Sequence, residues 1–250
     1  MNGSLQTIPL LNLSIAFIPA LITIGILFKW SLNSKNALYS VLRMLVQLLL
    51  IGYFLSYIFD SDSMGVVIIV LAVMIFASSW IALGVVPKKR LLLYKYSLVA
   101  IMLGGCFTLL LITQGVLVLD PWYSPQSLIP IAGMIFANSM NSVSLAAERL
   151  ISEINRGVLY DDARNIALQS SLIPVINSLF AVGLVSLPGM MTGQILSGIS
   201  PMIAARYQIM VMCMILGSAG IATACFLVLV KPVIEKSKRA VEDNLTDMID

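Results

Sequence analysis

The chain consists mainly of long apolar runs that are separated by short polar or charged stretches. A helix needs about 20 apolar residues to cross the hydrocarbon core of a bilayer. Seven runs approach or reach that length: Pro9–Phe28, Ala37–Phe59, Met64–Val86, Tyr96–Leu119, Leu128–Ala147, Leu172–Leu187 and Tyr207–Val230. The pattern predicts an all-α, polytopic membrane helix bundle with about seven transmembrane helices.

Composition and charge support this interpretation. The mean hydropathy is +0.98 and charged residues make up 11% of the chain, against about 25% in a soluble domain. With seven crossings, every Lys and Arg except Arg206 falls on one side of the membrane. Because Lys and Arg favour cytoplasmic loops, we expect the N-terminus outside and the C-terminus in the cytoplasm, with the protein in the cell's inner (plasma) membrane.

No soluble domain is expected. Residues 1–250 are interpreted as one transmembrane domain, with a cytoplasmic segment at 152–171 and a charged cytoplasmic tail at 235–250. The chain contains no histidine, which excludes His-based catalysis, and it has neither a nucleophile elbow nor an HExxH motif. The sequence therefore predicts a protein that is not an enzyme, and nothing in it indicates a nucleic-acid partner.

A polar stripe interrupts the fifth run, where residues 138–150 read NSMNSVSLAAERL. At about 100° per residue, Asn138, Asn141 and Ser142 share one helix face, with Glu148 at its border. Such residues either hydrogen-bond between packed helices or line a substrate path, and both interpretations stay open. Arg43 and Gln47 lie one turn apart on the second run. They are further path candidates, and Arg43 is a candidate partner for a buried Glu148.

The stretch 172–208 is rich in glycine and proline. Pro188 suits the first turn of a helix, and the spacing of Gly189 and Gly193 allows close helix approach. We therefore expect the sixth span to break near Ser186–Pro188 and to restart as a shorter helix. Irregular backbone at membrane depth is tolerated inside protein or beside a water-filled cavity, so the break either lines a path or is an ordinary outer loop.

Methionines and amides crowd the same region. Met190 and Met191 are either adaptable packing residues or soft ligands for Cu(I). Gln194 offers an amide oxygen of the kind that a harder cation prefers, as do Asn138 and Asn141. The sequence leaves the identity of any metal ligand unknown.

The chain has no phosphate-cradling G-x-x-x-x-G-K-[ST] motif. Any work on a substrate must therefore be driven by an ion gradient or by a separate subunit. The stretch 156–171 reads RGVLYDDARNIALQSS, and Asp161 or Asp162 can cap a helix over Ala163–Gln169. This short cytoplasmic helix is either a connector or a lever that docks into a partner.

Several strings closely resemble the iron-export permease (FetB/YbbM) family, to which plant aluminium-resistance half-transporters are related. They are ERL at 148–150, LIPVINS at 172–178, VGLVSLPGMMTGQILSG at 182–198 and AARYQIMVM at 204–212. The resemblance implies the permease subunit of an ABC transporter, with iron export as its task. Two permeases and two cytoplasmic ATPases would form the working unit, with ATP and magnesium bound on the ATPases and no cofactor on this chain.

The chain departs from the family in one place. Residues 154–171 are shorter than the resemblance implies and lack the family's Ala-Leu-Gly-Ala turn. The ATPase contact is expected at Leu159, Tyr160, Asp161, Asp162, Ala163, Arg164 and Ala167. The alternative function is a stand-alone secondary transporter or channel for a metal or small solute. A lipid-directed enzyme would need acid–base groups within the membrane, where only Arg43, Glu148 and Arg149 are candidates.

Overall fold

The computed structural model describes residues 8–59 and 63–246, and these form an all-helical structure. The α-helices are α1 (Leu10–Ile15), α2 (Ile18–Lys29), α3 (Ser34–Phe59), α4 (Met64–Ala82), α5 (Arg90–Leu110), α6 (Pro125–Asn155), α7 (Tyr160–Ala181), α8 (Gly189–Leu196) and α9 (Pro201–Thr246). Two 3-10 turns (Leu83–Val85 and Pro87–Lys89) precede α5, and a π-helical segment (Leu111–Val116) follows it. The all-α prediction is confirmed.

Six helical segments of the described chain are long and apolar enough to cross a membrane: Leu11–Lys29, Ser34–Phe59, Met64–Val85, Pro87–Val116, Pro125–Asn155 and Pro201–Lys236. They correspond to six of the seven predicted spans. The remaining predicted span, Leu172–Leu187, lies in α7 as far as Ala181; α7 has 22 residues and is long enough to cross, but it begins with a polar stretch. The chain is a multi-pass membrane protein.

The chain divides into two compact units, Met1–Ser61 and Asp62–Asp250. In the first unit, α2 and α3 pack against each other. The turn between them contains Ser31 at a positive φ of 56°, and the Asn33 Oδ1 accepts a hydrogen bond from the Asn36 backbone N–H at 3.2 Å. This side chain satisfies one of the free donors at the start of α3.

The core of the second unit lies where α5, α6 and α9 meet. Phe136 of α6 and Phe226 of α9 are fully buried there. Gly104 and Gly105 of α5 make this packing possible. A Cβ at Gly104 would lie 2.6 Å from the Ala222 backbone nitrogen, and one at Gly105 would lie 2.5 Å from the Phe136 ring. Two adjacent glycines thus let α5 lie directly against α6 and α9.

The predicted cytoplasmic helix is not a separate element. The stretch expected to form it and the first half of the predicted sixth span are one continuous helix, α7, which a four-residue turn joins to α6. Asp161 and Asp162 lie in the first turn, whereas Leu159 occupies the cap position and no side chain caps the helix. Acidic groups favour a helix N-terminus, and residues 160–173 contain no glycine or proline, so nothing interrupts the helix.

The predicted break in the sixth span is confirmed, but it begins earlier than expected. α7 ends at Ala181, five residues before the expected position, because Gly183 adopts a positive φ of 83° that ends the helix. The chain restarts as α8 at Gly189, with Pro188 at the cap position. No described atom outside the local backbone lies within 4 Å of a Cβ built at Gly189 or Gly193, so these glycines do not mark a close helix contact within the chain.

The predicted charged tail lies in α9 as far as Thr246, and its last four residues are outside the described chain; α9 runs without interruption for 46 residues from Pro201 to Thr246. At 1.5 Å per residue it is about 69 Å long, against about 30 Å for the hydrocarbon core. Its last turns therefore extend beyond a membrane that its apolar part spans.

The close contact at Gly104 predicts a specific loss of stability. Gly104→Ala places a methyl group against the α9 backbone, which cannot move aside as a side-chain tip can, so we expect a loss of about 1–3 kcal/mol. Thermal unfolding of the purified protein in detergent measures this. Gly217→Ala in α9 is the matched control, since its Cβ would meet nothing within 4 Å. Equal melting temperatures for the two variants would contradict the packing described here.

Candidate functional site: a polar cavity in the second unit

A cavity of about 430 Å³ lies among α6, α7, α8 and α9. Its residues come from four stretches that are far apart in the sequence. They are Met134, Asn138, Asn141, Ser142 and Leu145 of α6, Ser171, Pro174, Val175 and Ser178 of α7, Ser186, Pro188, Gly189 and Met190 around the helix break, and Gln208, Val211, Met212 and Ile215 of α9. The structure thus brings together six of the predicted path and break residues: Asn138, Asn141, Ser142, Pro188, Gly189 and Met190.

The polar stripe of α6 supplies the amides of the cavity. Asn138 is half-buried, and its Nδ2 donates a hydrogen bond to the Met134 carbonyl one turn earlier, at 2.8 Å. Because this bond uses an amide hydrogen, the Asn138 carbonyl oxygen stays available as an acceptor. Ser142 is buried, whereas Asn141 is exposed at the cavity mouth. The helical periodicity expected from the sequence therefore places these three side chains on one wall.

Gln208 of α9 is the functional candidate that the sequence reasoning missed. Gln208 is only 5% exposed, and no described group donates a hydrogen bond to its Oε1. A buried amide oxygen without a partner costs roughly 1–3 kcal/mol, so this position is unfavourable for folding alone. The sequence offers one signal for this residue: it is a glutamine that directly precedes the apolar run IMVM in the string AARYQIMVM.

The interrupted segment after α7 forms another side of the cavity. A backbone turn holds residues 182–188: the Ala181 carbonyl accepts hydrogen bonds from the Val185 and Ser186 N–H groups at 2.8 and 3.1 Å. The Gly183 N–H in turn donates to the Ser186 carbonyl at 3.0 Å. These bonds satisfy much of the irregular backbone and present Ser186 and Pro188 to the cavity, as expected for a break that borders a polar space.

A second cavity, of about 460 Å³, adjoins the first. Its lining includes Gln126, Ser127, Tyr207 and Met210, and it shares Met134 and Met190 with the polar cavity. These two flexible thioether side chains therefore separate the two spaces. Unbranched methionines can rearrange at low cost, so the boundary between the cavities is adaptable.

Several predicted residues lie outside the polar cavity. Met191 lines a neighbouring apolar pocket of about 320 Å³ with Leu179 and Cys213, and Gln208 and Met212 line both this pocket and the polar cavity. Gln194 and Gly193 lie on α8, and neither lines any of the three cavities. Glu148 is exposed on α6, so its predicted buried pairing stays a prediction.

Arg43 and Gln47 lie on α3 of the first unit, and both are exposed. Their role in a substrate path stays a prediction. The buried acid near the end of α6 is Glu153, which pairs with Arg149 at 2.8 Å and with Arg156 at 3.5 Å. Sequence reasoning missed this residue because the helix runs eight residues past the predicted end of the fifth span.

The end of the unit where α6 turns into α7 is tightly held to α9. The Tyr160 hydroxyl donates a hydrogen bond to the Leu227 carbonyl, and burial raises the pKa of this phenol well above its usual range. Asp161 pairs with Arg164 at 3.2 Å and with Lys231 at 3.1 Å. Movement of the turn would therefore be transmitted to α9.

The seven predicted coupling residues differ in exposure, with Tyr160 buried and Arg164 half-buried. Ala163 and Ala167 are fully buried and in this arrangement cannot themselves touch a partner, because they pack against the core. Leu159, Asp161 and Asp162 are exposed, with Leu159 at 71%. The surface available at this end is therefore the α6–α7 turn and the first turn of α7.

Comparison with known proteins identifies the chain. The sequence matches the Uncharacterised protein family (UPF0014) at residues 10–160 and 159–234. The chain belongs to this family of membrane proteins. The two matched segments meet at the α6–α7 turn, which is where the sequence is shorter than the resemblance to iron-export permeases implies.

Named relatives extend across most of the chain. It is 36% identical over 241 residues to the probable iron export permease protein FetB of Escherichia coli, covering 86% of this chain and 90% of the relative. It is 37% identical over 198 residues to the UPF0014 membrane protein slr1647 of Synechocystis, covering 72% of this chain and 76% of the relative. The predicted resemblance is confirmed.

A plant relative matches at a lower level. The chain is 31% identical over 223 residues to the protein ALUMINUM SENSITIVE 3 of Arabidopsis thaliana, covering 81% of this chain and 79% of the relative. No solved structure matches the chain. Among residues 8–59 and 63–246, no group of three or more His, Cys, Asp or Glu side chains is arranged to hold a metal ion.

The unpartnered amide predicts that Gln208 lowers the stability of the protein. Gln208→Leu removes an unsatisfied polar group of similar size, so we expect the free energy of unfolding to rise by about 1 kcal/mol. Thermal unfolding in detergent provides the measurement. Gln169→Leu, at an exposed position of α7, should change stability by no more than about 0.5 kcal/mol. A clear destabilisation by Gln208→Leu would show that the amide is satisfied within the protein.

Proposed function

We propose that this chain is the permease subunit of an ABC transporter that exports iron, driven by a separate cytoplasmic ATPase. The observation that carries the proposal is the 36% identity, over nearly the whole chain, to a protein named as a probable iron export permease. The polar cavity supports it, because polar side chains within a membrane bundle commonly mark a substrate path.

The proposed topology has seven crossings of the cell's inner (plasma) membrane, with the N-terminus outside and the C-terminus in the cytoplasm. Charge supports this arrangement, since it leaves Arg206 as the one basic residue on the outer side. α7 would supply the additional crossing, because its 22 residues are long enough. The polar cavity then lies at mid-membrane and the second cavity lies toward the outer face.

In this arrangement the α6–α7 turn faces the ATPase. Movement of the turn would be transmitted to α9 through Tyr160 and Asp161, because both bind α9 directly. α9 carries Gln208 and Met212 into the cavity wall. We propose a working unit of two permeases and two ATPases, in which closure of the ATPases changes the shape of the cavity.

Reconstitution tests the proposed function. Vesicles containing this chain and an ATPase encoded next to it should move iron when ATP is supplied on the ATPase side, and vesicles with the permease alone should not. Equal iron flux without the ATPase would instead support a stand-alone transporter or channel. ATP hydrolysis that is unaffected by iron, with no flux, would contradict iron as the cargo.

The lever role of α7 gives a further prediction. Asn165 is exposed on α7, and Asn165→Pro removes a helical hydrogen bond and breaks the helix. We expect iron transport per ATP hydrolysed to fall at least tenfold, from the loss of coupling. Asn165→Ala keeps the helix and should retain normal coupling. Wild-type transport by the proline variant would show that α7 is not the lever.

A further inference from the structure

The positions of the acidic residues limit what this protein can carry. The chain contains 12 Asp and Glu residues, and none occurs within residues 1–59, 63–119, 121–147 or 163–234. They are Asp60, Asp62, Asp120, Glu148, Glu153, Asp161, Asp162, Glu235, Glu242, Asp243, Asp247 and Asp250. Among the described residues, these acidic residues lie in the connection before α6 (Asp120), the last third of α6 (Glu148, Glu153), the first turn of α7 (Asp161, Asp162) and the last third of α9 (Glu235, Glu242, Asp243).

The polar cavity follows this pattern. Its lining contains amides, hydroxyls and thioethers, and every lining residue is uncharged. The three cysteines of the chain, Cys106, Cys213 and Cys225, are also outside its lining. A bare divalent cation in a poorly solvated space needs opposite charge nearby, and proteins usually supply that charge to iron as carboxylate or thiolate. The described cavity offers neither group.

The size of the cavity is informative as well. Its volume of about 430 Å³ lies within the range of sites that hold small organic molecules, about 300–1,000 Å³. A site for a bare ion is instead a compact cage of ligands around one atom. The lining also lacks Lys and Arg, which disfavours a strongly anionic ligand.

Gln208 shows that the cavity has an unfilled polar contact. Its amide oxygen is buried and lacks a partner among the described residues, and the residue lines the cavity beside Met212. Because this oxygen has almost no accessible surface, the side chain must rotate toward the cavity before a bound molecule can donate a hydrogen bond to it or place a partial positive charge against it.

We propose that the cavity takes iron as a small complex of zero net charge, in which anionic ligands cancel the charge of the metal, and not as the bare Fe²⁺ ion. Gln208 is the residue that contacts this complex. The inference rests on the proposed function, because it specifies the chemical form of the iron that the permease carries.

Binding to the full-length protein in nanodiscs of neutral lipid tests this inference. The two probes are radiolabelled Fe²⁺ and iron(II) bis(maltolate), both under anaerobic conditions at pH 7.5. Two monoanionic maltolates cancel the charge of one Fe²⁺, so the probes differ in net charge and not in oxidation state. We expect the complex to bind at least tenfold more tightly than Fe²⁺, and Gln208→Leu to weaken binding of the complex at least fivefold.

A charge introduced at the same position should remove the preference for the neutral complex. Gln208→Glu supplies the missing carboxylate, so Fe²⁺ binding should tighten at least tenfold. Gln169→Glu makes the same chemical change at an exposed position away from the cavity and should leave both affinities unchanged.

Two results would overturn the inference, and they are distinguishable. Wild-type protein that binds Fe²⁺ as tightly as the complex would overturn the neutral-complex inference and leave iron export intact. Failure of the wild-type protein to bind either probe would count against iron as the cargo, and the inference would fail with it.

Discussion

Polar groups inside a membrane bundle must find partners within the protein, because lipid tails offer none. This constraint governs the arrangement of the second unit. The Asn138 amide bonds to its own helix, the irregular backbone at 182–188 bonds to itself, and the Tyr160 hydroxyl bonds to α9. Among the described residues, the buried side-chain oxygens without a partner include those of Ser139, Gln194, Thr223 and Gln208, and of these residues Gln208 lines the polar cavity. One of the exceptions to the constraint therefore lies at the candidate site.

The same helices that form the core also form the cavity. α6 presents Phe136 to the glycine pair of α5 and Asn138 to the cavity, while α9 packs Ala222 against Gly104 and contributes Gln208 about four turns earlier. The packing is rigid on one side, and the boundary formed by Met134 and Met190 on the other side is adaptable, as the proposed permease role requires. The core keeps the helices in register, and the cavity wall can change shape.

Much of the local structure was accessible from the sequence, and the exceptions have physical causes. Helical periodicity placed Asn138, Asn141 and Ser142 on one face, and glycine and proline marked the break before α8. The prediction of a separate helix at 163–169 was wrong. Asp161 and Asp162 favour the start of a helix, and no glycine or proline lies between them and Pro174, so the helix continues into the predicted span. Glu153 was overlooked because the end of the span was predicted from hydropathy, at the first charged residues. The helix itself continues until the turn that contains Gly157.

By itself, the sequence determined the all-helical class, the membrane location, the family and the distribution of charge, since these depend on composition and on patterns within single segments. Tertiary structure alone decided that residues from four separate stretches enclose one cavity, that Met191 and Gln194 lie outside it, and that Gln208 is buried in its wall with an unpartnered amide oxygen. Those features depend on how α6, α7, α8 and α9 pack together. A pattern within one helix carries no information about which face of another helix meets it.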